Sequence, residues 1–202
     1  MGSEVNSEFP EYFPSLSVDG KMLVMTRRIN QVVSPVPGEY RDIENEDFFI
    51  TYFENGAWTP AENMGAPINN KKNQVAQSIS ADGRFLFYTS CDDIENGYGS
   101  CDLYYSLKIG DIWSNPENCG TIINTADWES QPSITADGRE LFFSSARPGS
   151  IGSYDLWHAK LGDDGYWEEP QNLGNVINTH YSEQCPFIHP DGKTLYFSSE
   201  GH

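Results

Sequence analysis

Several things are missing from this chain, and each absence closes a class of function. There is no C-x-x-C pair, no G-x-S-x-G elbow, no H-E-x-x-H and no P-loop. That removes the usual sequence signs of a zinc site, an activated serine, a zinc peptidase and a nucleotide cradle. No run of about 18 apolar residues exists, so no segment can cross a membrane as a helix. Basic residues are scarce: 12 Lys and Arg stand against 30 Asp and Glu, for a formal net charge of -18. Nucleic acids and anionic membranes are bound through phosphate contacts to Lys and Arg, so neither is an expected partner. The four histidines (His158, His180, His189 and His202) are scattered, and no metal or cofactor site is expected. The start, Met1-Gly2-Ser3, lacks the charged and apolar regions of a signal peptide.

What is present favours strands. Aromatic residues make up 13% of the 202 residues, with 18 Gly and 12 Pro. That mix suits many short strands joined by tight turns. The organising stretch is Gln131-Pro132-Ser133-Ile134-Thr135-Ala136-Asp137-Gly138, which leads into Leu141-Phe142-Phe143-Ser144-Ser145. Asp-Gly between two apolar runs is a strong hairpin signal, because both residues tolerate positive φ. The pattern recurs with Asp at 19, 82, 137 and 191, so 63, 55 and then 54 residues apart. A tryptophan keeps the same period at Trp58, Trp113 and Trp167. After each comes a matching phrase, Asn63-Met64-Gly65, Asn118-Cys119-Gly120 or Asn172-Leu173-Gly174, and then Ile68-Asn69, Ile123-Asn124 or Ile177-Asn178.

Each unit reads as four strands. Strands A and B flank the Asp-Gly turn, strand C begins at Asp47, Asp102 or Asp155, and strand D surrounds the repeated tryptophan. Four strands per repeat of this length is the arithmetic of a β-propeller blade. The expectation is an all-β fold, a β-propeller of four-stranded antiparallel blades. Three full blades and a partial fourth fall at about 12–70, 71–125, 126–179 and 180–202. Because the fourth unit supplies strands A and B alone, the chain reads as a piece of a larger propeller. The first unit carries a proline-containing insertion between strands B and C, Ile29 to Glu46, expected to form a loop. In an antiparallel blade the B–C and D–A connections share one end, so that insertion enlarges one face.

Candidate chemistry divides into what the repeat explains and what it does not. The turn geometry accounts for the recurring Asp of Asp-Gly, and packing between blades accounts for the repeated tryptophans. At the start of strand A stand Glu11, Glu129 and Glu183, with Gln74 in the second unit. They form either a ring of carboxylates for a cation or basic peptide, or acceptors for backbone N–H groups where each strand begins. Residues that break the repeat are the better binding candidates. These are Trp128, His180 and Tyr181 in the D–A connections, and Arg27, Arg28 and Arg147 at the ends of strand B. Cys91 and Cys101 flank a polar loop; they either face each other as a feasible disulfide or stand as two unpaired small residues. Cys119 and Cys185 read as packing residues.

Phrases such as Gln77-Ser78-Ile79-Ser80-Ala81-Asp82-Gly83-Arg84 and Asn172-Leu173-Gly174-Asn175-Val176-Ile177-Asn178-Thr179 resemble the WD40-like propeller repeats of TolB-type periplasmic proteins. The version in OmpA-family cell-envelope proteins of Bacteroidetes is the most similar. The resemblance implies a non-catalytic interaction or scaffolding module, periplasmic or associated with the outer membrane. Its partner would be another envelope protein or a peptide, with peptidoglycan reached only through domains this chain does not carry. Two alternatives stand beside it. One is a glycan-binding module with Trp128 and Tyr181 as its platform. The other is a glycan hydrolase with Glu129 and Glu183 as its acids, a pair that would have to flank an open pocket.

Overall fold

The computed structural model describes residues 2–36, 39–93 and 95–202, with backbone alone for 31–36 and 39–44. Four antiparallel sheets follow one another along the chain. Sheet 1 holds β1 (Glu11–Leu16), β2 (Met22–Val36), β3 (Glu39–Glu54), β4 (Ala57–Trp58) and β5 (Glu62–Asn63). Sheet 2 holds β6 (Asn73–Ile79), β7 (Phe85–Cys91), β8 (Cys101–Ile109), β9 (Ile112–Trp113) and β10 (Glu117–Asn118). A single helical turn, α1 (Gly120–Ile123), leads on to sheet 3: β11 (Glu129–Ile134), β12 (Glu140–Ser145), β13 (Asp155–Lys160) and β14 (Gln171–Asn172). Sheet 4 has two strands, β15 (Glu183–Ile188) and β16 (Leu195–Ser199).

The Asp-Gly turns close as their sequence demands. Gly20, Gly83, Gly138 and Gly192 take φ of +69°, +69°, +71° and +65°. In the first three turns a hydroxyl two residues earlier donates to the Asp: Ser17 to Asp19, Ser80 to Asp82 and Thr135 to Asp137, each at 2.6 Å. These bonds, with backbone N–H groups beyond the turn, hold all three carboxyls below the usual carboxylate range. The recurring acids are turn structure.

Two expectations about connections change. The B–C insertion of sheet 1 is strand rather than loop: β2 and β3 continue in register from Arg27↔Asp47 to Val33↔Arg41, then shift register and pair again at Val36↔Glu39. Ile29, Val32 and Val33 are β-branched and favour this extension. Pro37 and Gly38, the rest of the insertion's turn signal, lie outside the described residues. Strand D is broken in two. In sheet 1, Trp58 pairs with Phe53, and a second fragment pairs Asn63 with Phe49. Sheet 2 repeats this with Trp113 against Lys108 and Asn118 against Tyr104. Pro60, Pro116 and Pro170 stand between the fragments, and proline has no N–H to give to a ladder.

The core lies between the sheets. Val24 and Phe48 of sheet 1 meet Ile79, Leu86, Tyr88 and Tyr104 of sheet 2, with Trp113 against the rim. Phe87 and Leu103 of sheet 2 meet Leu141, Phe143 and Trp157 of sheet 3, with Trp167 and Cys119 packed alongside. Burying a side chain of this size contributes roughly 1.5–3 kcal/mol. The outer face of sheet 1, with Leu23, Met25 and Trp58, is covered by Val5.

The A strands share a device that composition does not announce. Each has a bulge, and a non-glycine residue there takes positive φ: Phe13, Ala76, Gln131 and Cys185, at 50°, 54°, 58° and 55°. The bulge turns backbone groups toward the neighbouring sheet. Gln131 N donates to Thr89 Oγ1 at 3.1 Å, and Cys185 N donates to Gln131 Oε1 at 2.8 Å. Just beyond it, Ile79, Ile134 and Ile188 donate their N–H groups to Ser15, Ser78 and Ser133 at 3.3, 3.1 and 2.9 Å. Neighbouring sheets are thus joined by directed bonds as well as by apolar contact.

Candidate functional site

The B–C and D–A connections meet at one end of the sheets. Ser100 N donates to Asp127 O at 2.9 Å, and Ser153 N to Tyr181 O at 3.0 Å. The B–C loops of sheets 2 and 3 therefore rest on the D–A connection that follows each sheet. The contact is backbone to backbone and needs glycine: a Cβ on Gly99 would stand 2.1 Å from Asp127 O, and one on Gly152 1.9 Å from Tyr181 O. Gly99 is thereby a packing residue, consistent with the absence of any nucleotide loop pattern.

Three repeated polar groups shape this end, and each follows from residues in the repeat. The first is an asparagine latch. Asn124 Oδ1 accepts Leu103 N at 2.8 Å, while its Nδ2 donates to Leu103 O and to Asn118 Oδ1 at 2.9 and 2.8 Å. Asn69 does the same to Phe48, and Asn178 to Leu156. The repeated Asn and Ile-Asn phrases are thus one clasp tying each D–A connection to strand C. The second is the Asp at the start of strand C. Asp155 accepts Ile151 N at 2.6 Å, Gly152 N at 2.9 Å and Asn172 Nδ2 at 2.6 Å, and Asp102 holds Tyr98 N and Gly99 N similarly. Burial raises the Asp102 carboxyl above its ordinary range. Sequence reasoning placed Asp47, Asp102 and Asp155 only as strand starts; their recurrence at one period was the available signal.

The third group is the strand-A acid. Glu183 Oε2 accepts Thr179 N, and its Oε1 accepts the Thr179 and Ser199 hydroxyls, all at 2.7 Å. Glu129 does the same with Thr125 and Ser145. Both are fully buried. In sheet 1, Glu11 accepts Ser7 N at 2.9 Å and pairs with Arg27. In sheet 2, Gln74 faces Asn70, donating to its Oδ1 at 2.9 Å and accepting its N–H at 3.2 Å. Glutamate goes with a hydroxyl, glutamine with an amide. These groups therefore hold turns at the strand starts instead of forming a shared ring of carboxylates.

The other predicted residues separate by exposure. Arg147 is buried: it pairs with Glu129 at 3.6 Å, donates to Ile123 O, and lies 4.9 and 5.2 Å from the Phe143 and Trp157 ring centres. Arg27 stacks 4.1 Å over Phe49 and donates to Val5 O at 3.0 Å. Both arginines are consumed in internal contacts. Arg28 is partly exposed beside Glu46 at 3.5 Å. Trp128 is half-buried, its ring edge-on to Tyr154 at 4.7 Å. His180 is exposed and Tyr181 is 60% exposed. Four of the eight candidates (Arg28, Trp128, His180 and Tyr181) thus reach the surface of this end, and Arg27, Glu129, Arg147 and Glu183 support it from beneath.

Cys91 and Cys101, directly opposite in the β7–β8 register with Cα atoms 4.0 Å apart, are joined in a disulfide. They close the loop Asp92–Ser100 at its base. Cys185 is exposed rather than packed, because the bulge of β15 turns it outward. Beside the disulfide loop, between sheets 1 and 2, lies a cleft of about 650 Å³. Tyr88 and Tyr104 line it at depth, Asp93 and Lys72 cross it, and Tyr98 stands at its rim. Burial alone would raise the Asp93 carboxyl; Lys72, the Asn96 N–H and the Tyr104 hydroxyl more than offset this and hold it low. Among the described residues, no group of three or more His, Cys, Asp or Glu could hold a metal ion.

No family model matches the sequence. No curated protein matches it either. Solved structures do match its fold. The chain superposes on TolB from Acinetobacter baumannii with a TM-score of 0.60 at 16% identity, covering 98% of this chain and 40% of that one. A TolB candidate from Agrobacterium tumefaciens gives a TM-score of 0.52 at 16% identity, over 95% of this chain and 70% of that one. A puromycin-hydrolyzing peptidase from Mycobacterium tuberculosis gives 0.53 at 14% identity, over 85% and 24%. The chain is therefore an all-β protein of antiparallel sheets whose fold is that of the TolB-like β-propellers. It spans 40% of the length of the A. baumannii protein.

Proposed function

We propose that this chain is a non-catalytic interaction or scaffolding module of a bacterial cell-envelope protein, with sheets 1–3 as full propeller blades and sheet 4 as two strands of another. The observation that carries this reading is the division of roles at the B–C/D–A end. The acids that could do chemistry, Glu129 and Glu183, are buried and bonded to their own turns, while His180 and Tyr181 stand exposed above them. A rigid end presenting aromatic residues suits docking of a protein or peptide. The Cys91–Cys101 disulfide suits an oxidising compartment, which supports a periplasmic or outer-membrane-associated location. The acidic surface supports a protein partner over a nucleic acid. The OmpA-family context belongs to this proposal as well.

Pull-down from envelope extract tests it. His180→Ala/Tyr181→Ala is expected to lose the captured partner, while Tyr166→Ala, exposed by the C–D turn at the other end, keeps it. Equal recovery from both variants overturns the assignment of the face. The glycan-binding reading keeps one supporting observation, the 60% exposure of Tyr181. The hydrolase reading keeps none, since Glu129 and Glu183 are fully buried, bonded to their own turns and absent from the lining of the cleft beside the disulfide.

A further inference from the structure

A cation-over-ring arrangement occurs twice at the B–C/D–A end, on sheets 1 and 3, and an imidazole takes the corresponding place on sheet 4. On sheet 1 the Arg27 guanidinium lies over Phe49, pairs with Glu11 and donates to Val5 O. On sheet 3 Arg147 lies over Phe143 and Trp157, pairs with Glu129 and donates to Ile123 O. On sheet 4 His202 meets the Phe197 ring edge-on at 5.9 Å and sits 3.0 Å from Ile177 O. These are one place in the repeat. Phe49 and Trp157 hold the same position in strand C, Phe143 and Phe197 the same position in strand B, and Ile123 and Ile177 the same position in the D–A connection.

Sheet 2 keeps the aromatic pair at this place, as Tyr88 and Tyr104, stacked at 6.1 Å. Among the described residues no cation stands over either ring. Gln74 replaces the acid, and Lys72 directs its ammonium to Asp93 instead. What remains is the cleft of about 650 Å³, closed on one side by the disulfide-bound loop. Glu95 and Glu117 lie at its mouth, both exposed, with Tyr98 51% exposed between blade and solvent.

We infer that this cleft receives a guanidinium group, the arginine side chain of a protein or peptide partner, seated against Tyr104 and Tyr88 as Arg147 is seated against Trp157 and Phe143. The acidic mouth selects a cation, and the Tyr98 ring at the rim is open to one, while Tyr104 and Tyr88, almost wholly buried, form the floor. Arginine is favoured over lysine because its planar, weakly hydrated head stacks on rings, and arginine is the residue at both places of this end where a cation lies over a ring. The loop closed by Cys91–Cys101 holds the wall in place before the ligand arrives, which lowers the ordering needed on binding. This inference rests on the docking face proposed above and names the chemistry of one partner residue on it.

Amide NMR titration with the peptide acetyl-Gly-Arg-Gly-amide tests it without any partner protein. Saturable shifts are expected at Asn96, Gly97 and Tyr98, with a dissociation constant of order millimolar for a single side chain. The lysine peptide should bind more weakly, and the citrulline peptide, neutral and of the same shape, should leave these amides unmoved. Glu95→Gln/Glu117→Gln removes two exposed charges and should weaken the arginine peptide roughly threefold or more, as should raised salt. Equal binding of citrulline and arginine peptides, shifts confined to other regions, or no saturation by about 20 mM peptide would each overturn the assignment. A failed titration beside an intact pull-down removes the arginine site alone; the reverse removes the role of His180 and Tyr181 and leaves the cleft.

Discussion

Asn178 brackets Leu156: its Oδ1 accepts the Leu156 N–H at 2.8 Å and its Nδ2 donates to the Leu156 carbonyl at 3.0 Å. Both residues are almost fully buried. Removing the amide leaves the Leu156 N–H without a partner in a place water does not reach, while the carbonyl keeps the Leu173 N–H at 3.1 Å. Asn178→Ala should lower stability by about 1–3 kcal/mol, since a buried donor is orphaned. Asn175→Ala, three residues away and exposed, should stay within about 0.5 kcal/mol of wild type. Urea unfolding midpoints give the comparison, and similar midpoints for the two variants would contradict the clasp.

The pairing of Glu183 with Thr179 and of Gln74 with Asn70 makes a sharper demand. Thr179 Oγ1 accepts Tyr181 N and donates to Glu183, whereas Asn70 Oδ1 accepts both Lys72 N and Gln74 Nε2. Thr179→Asn alone sets an amide oxygen against a buried carboxylate and should destabilise by about 1–3 kcal/mol. Adding Glu183→Gln rebuilds the pair seen in sheet 2 and should recover most of that loss. The double-mutant cycle measures the coupling directly. Simple additivity of the two changes would show that the two turns are not interchangeable.

Much of this logic was visible in the sequence, because a repeat turns single residues into patterns. Asp19, Asp82, Asp137 and Asp191 announce the hairpins, and Asn63-Met64-Gly65 with its two counterparts announces the clasp. What stayed hidden is geometry that no local residue type signals. The positive φ of Phe13, Ala76, Gln131 and Cys185 goes with the bulge of each A strand, and at Gln131 and Cys185 with bonds to the neighbouring sheet, so four unlike side chains share one backbone shape. Arg27 and Arg147 occupy one place in space from different offsets in strand B, since Arg27 pairs with Glu11 in register while Ser145 is the residue opposite Glu129. Their burial could not be read from position. The split of strand D was signalled by Pro60, Pro116 and Pro170, read at first only as part of the repeated phrase.

Acid should weaken the fold through Glu183. Burial alone would raise its carboxyl, but the Ser199 hydroxyl, the Thr179 N–H and hydroxyl, and His202 outweigh that and hold it below the usual carboxylate range. A depressed folded-state value means the stabilisation is complete above the unfolded value of about 4.3 and is lost as pH falls through the folded value. Asp47 and Asp102, raised by burial, act with the opposite sign. Glu183→Gln should therefore be less stable than wild type near neutrality, with the difference shrinking below about pH 4. Unfolding midpoints between pH 3 and pH 7 measure it; a difference that widens toward acid would reverse the sign argued here.

Two glycines separate steric approach from backbone conformation. Gly152 stands where a Cβ would lie 1.9 Å from Tyr181 O and 2.6 Å from Thr179 O, both backbone atoms of the next D–A connection. Gly138 has open space around it but a φ of +71°. Gly138→Ala meets only the left-handed conformation and should cost about 1–2 kcal/mol. Gly152→Ala must push a whole connection away and should cost about 2–3 kcal/mol or more. It should also shift the amide resonances of His180 and Tyr181, which Gly138→Ala should leave in place. If both variants lose the same stability and neither moves those resonances, the B–C loop does not set the position of the exposed aromatic residues. The rigidity assumed for the docking face would then have to come from the Thr179–Glu183 turn alone.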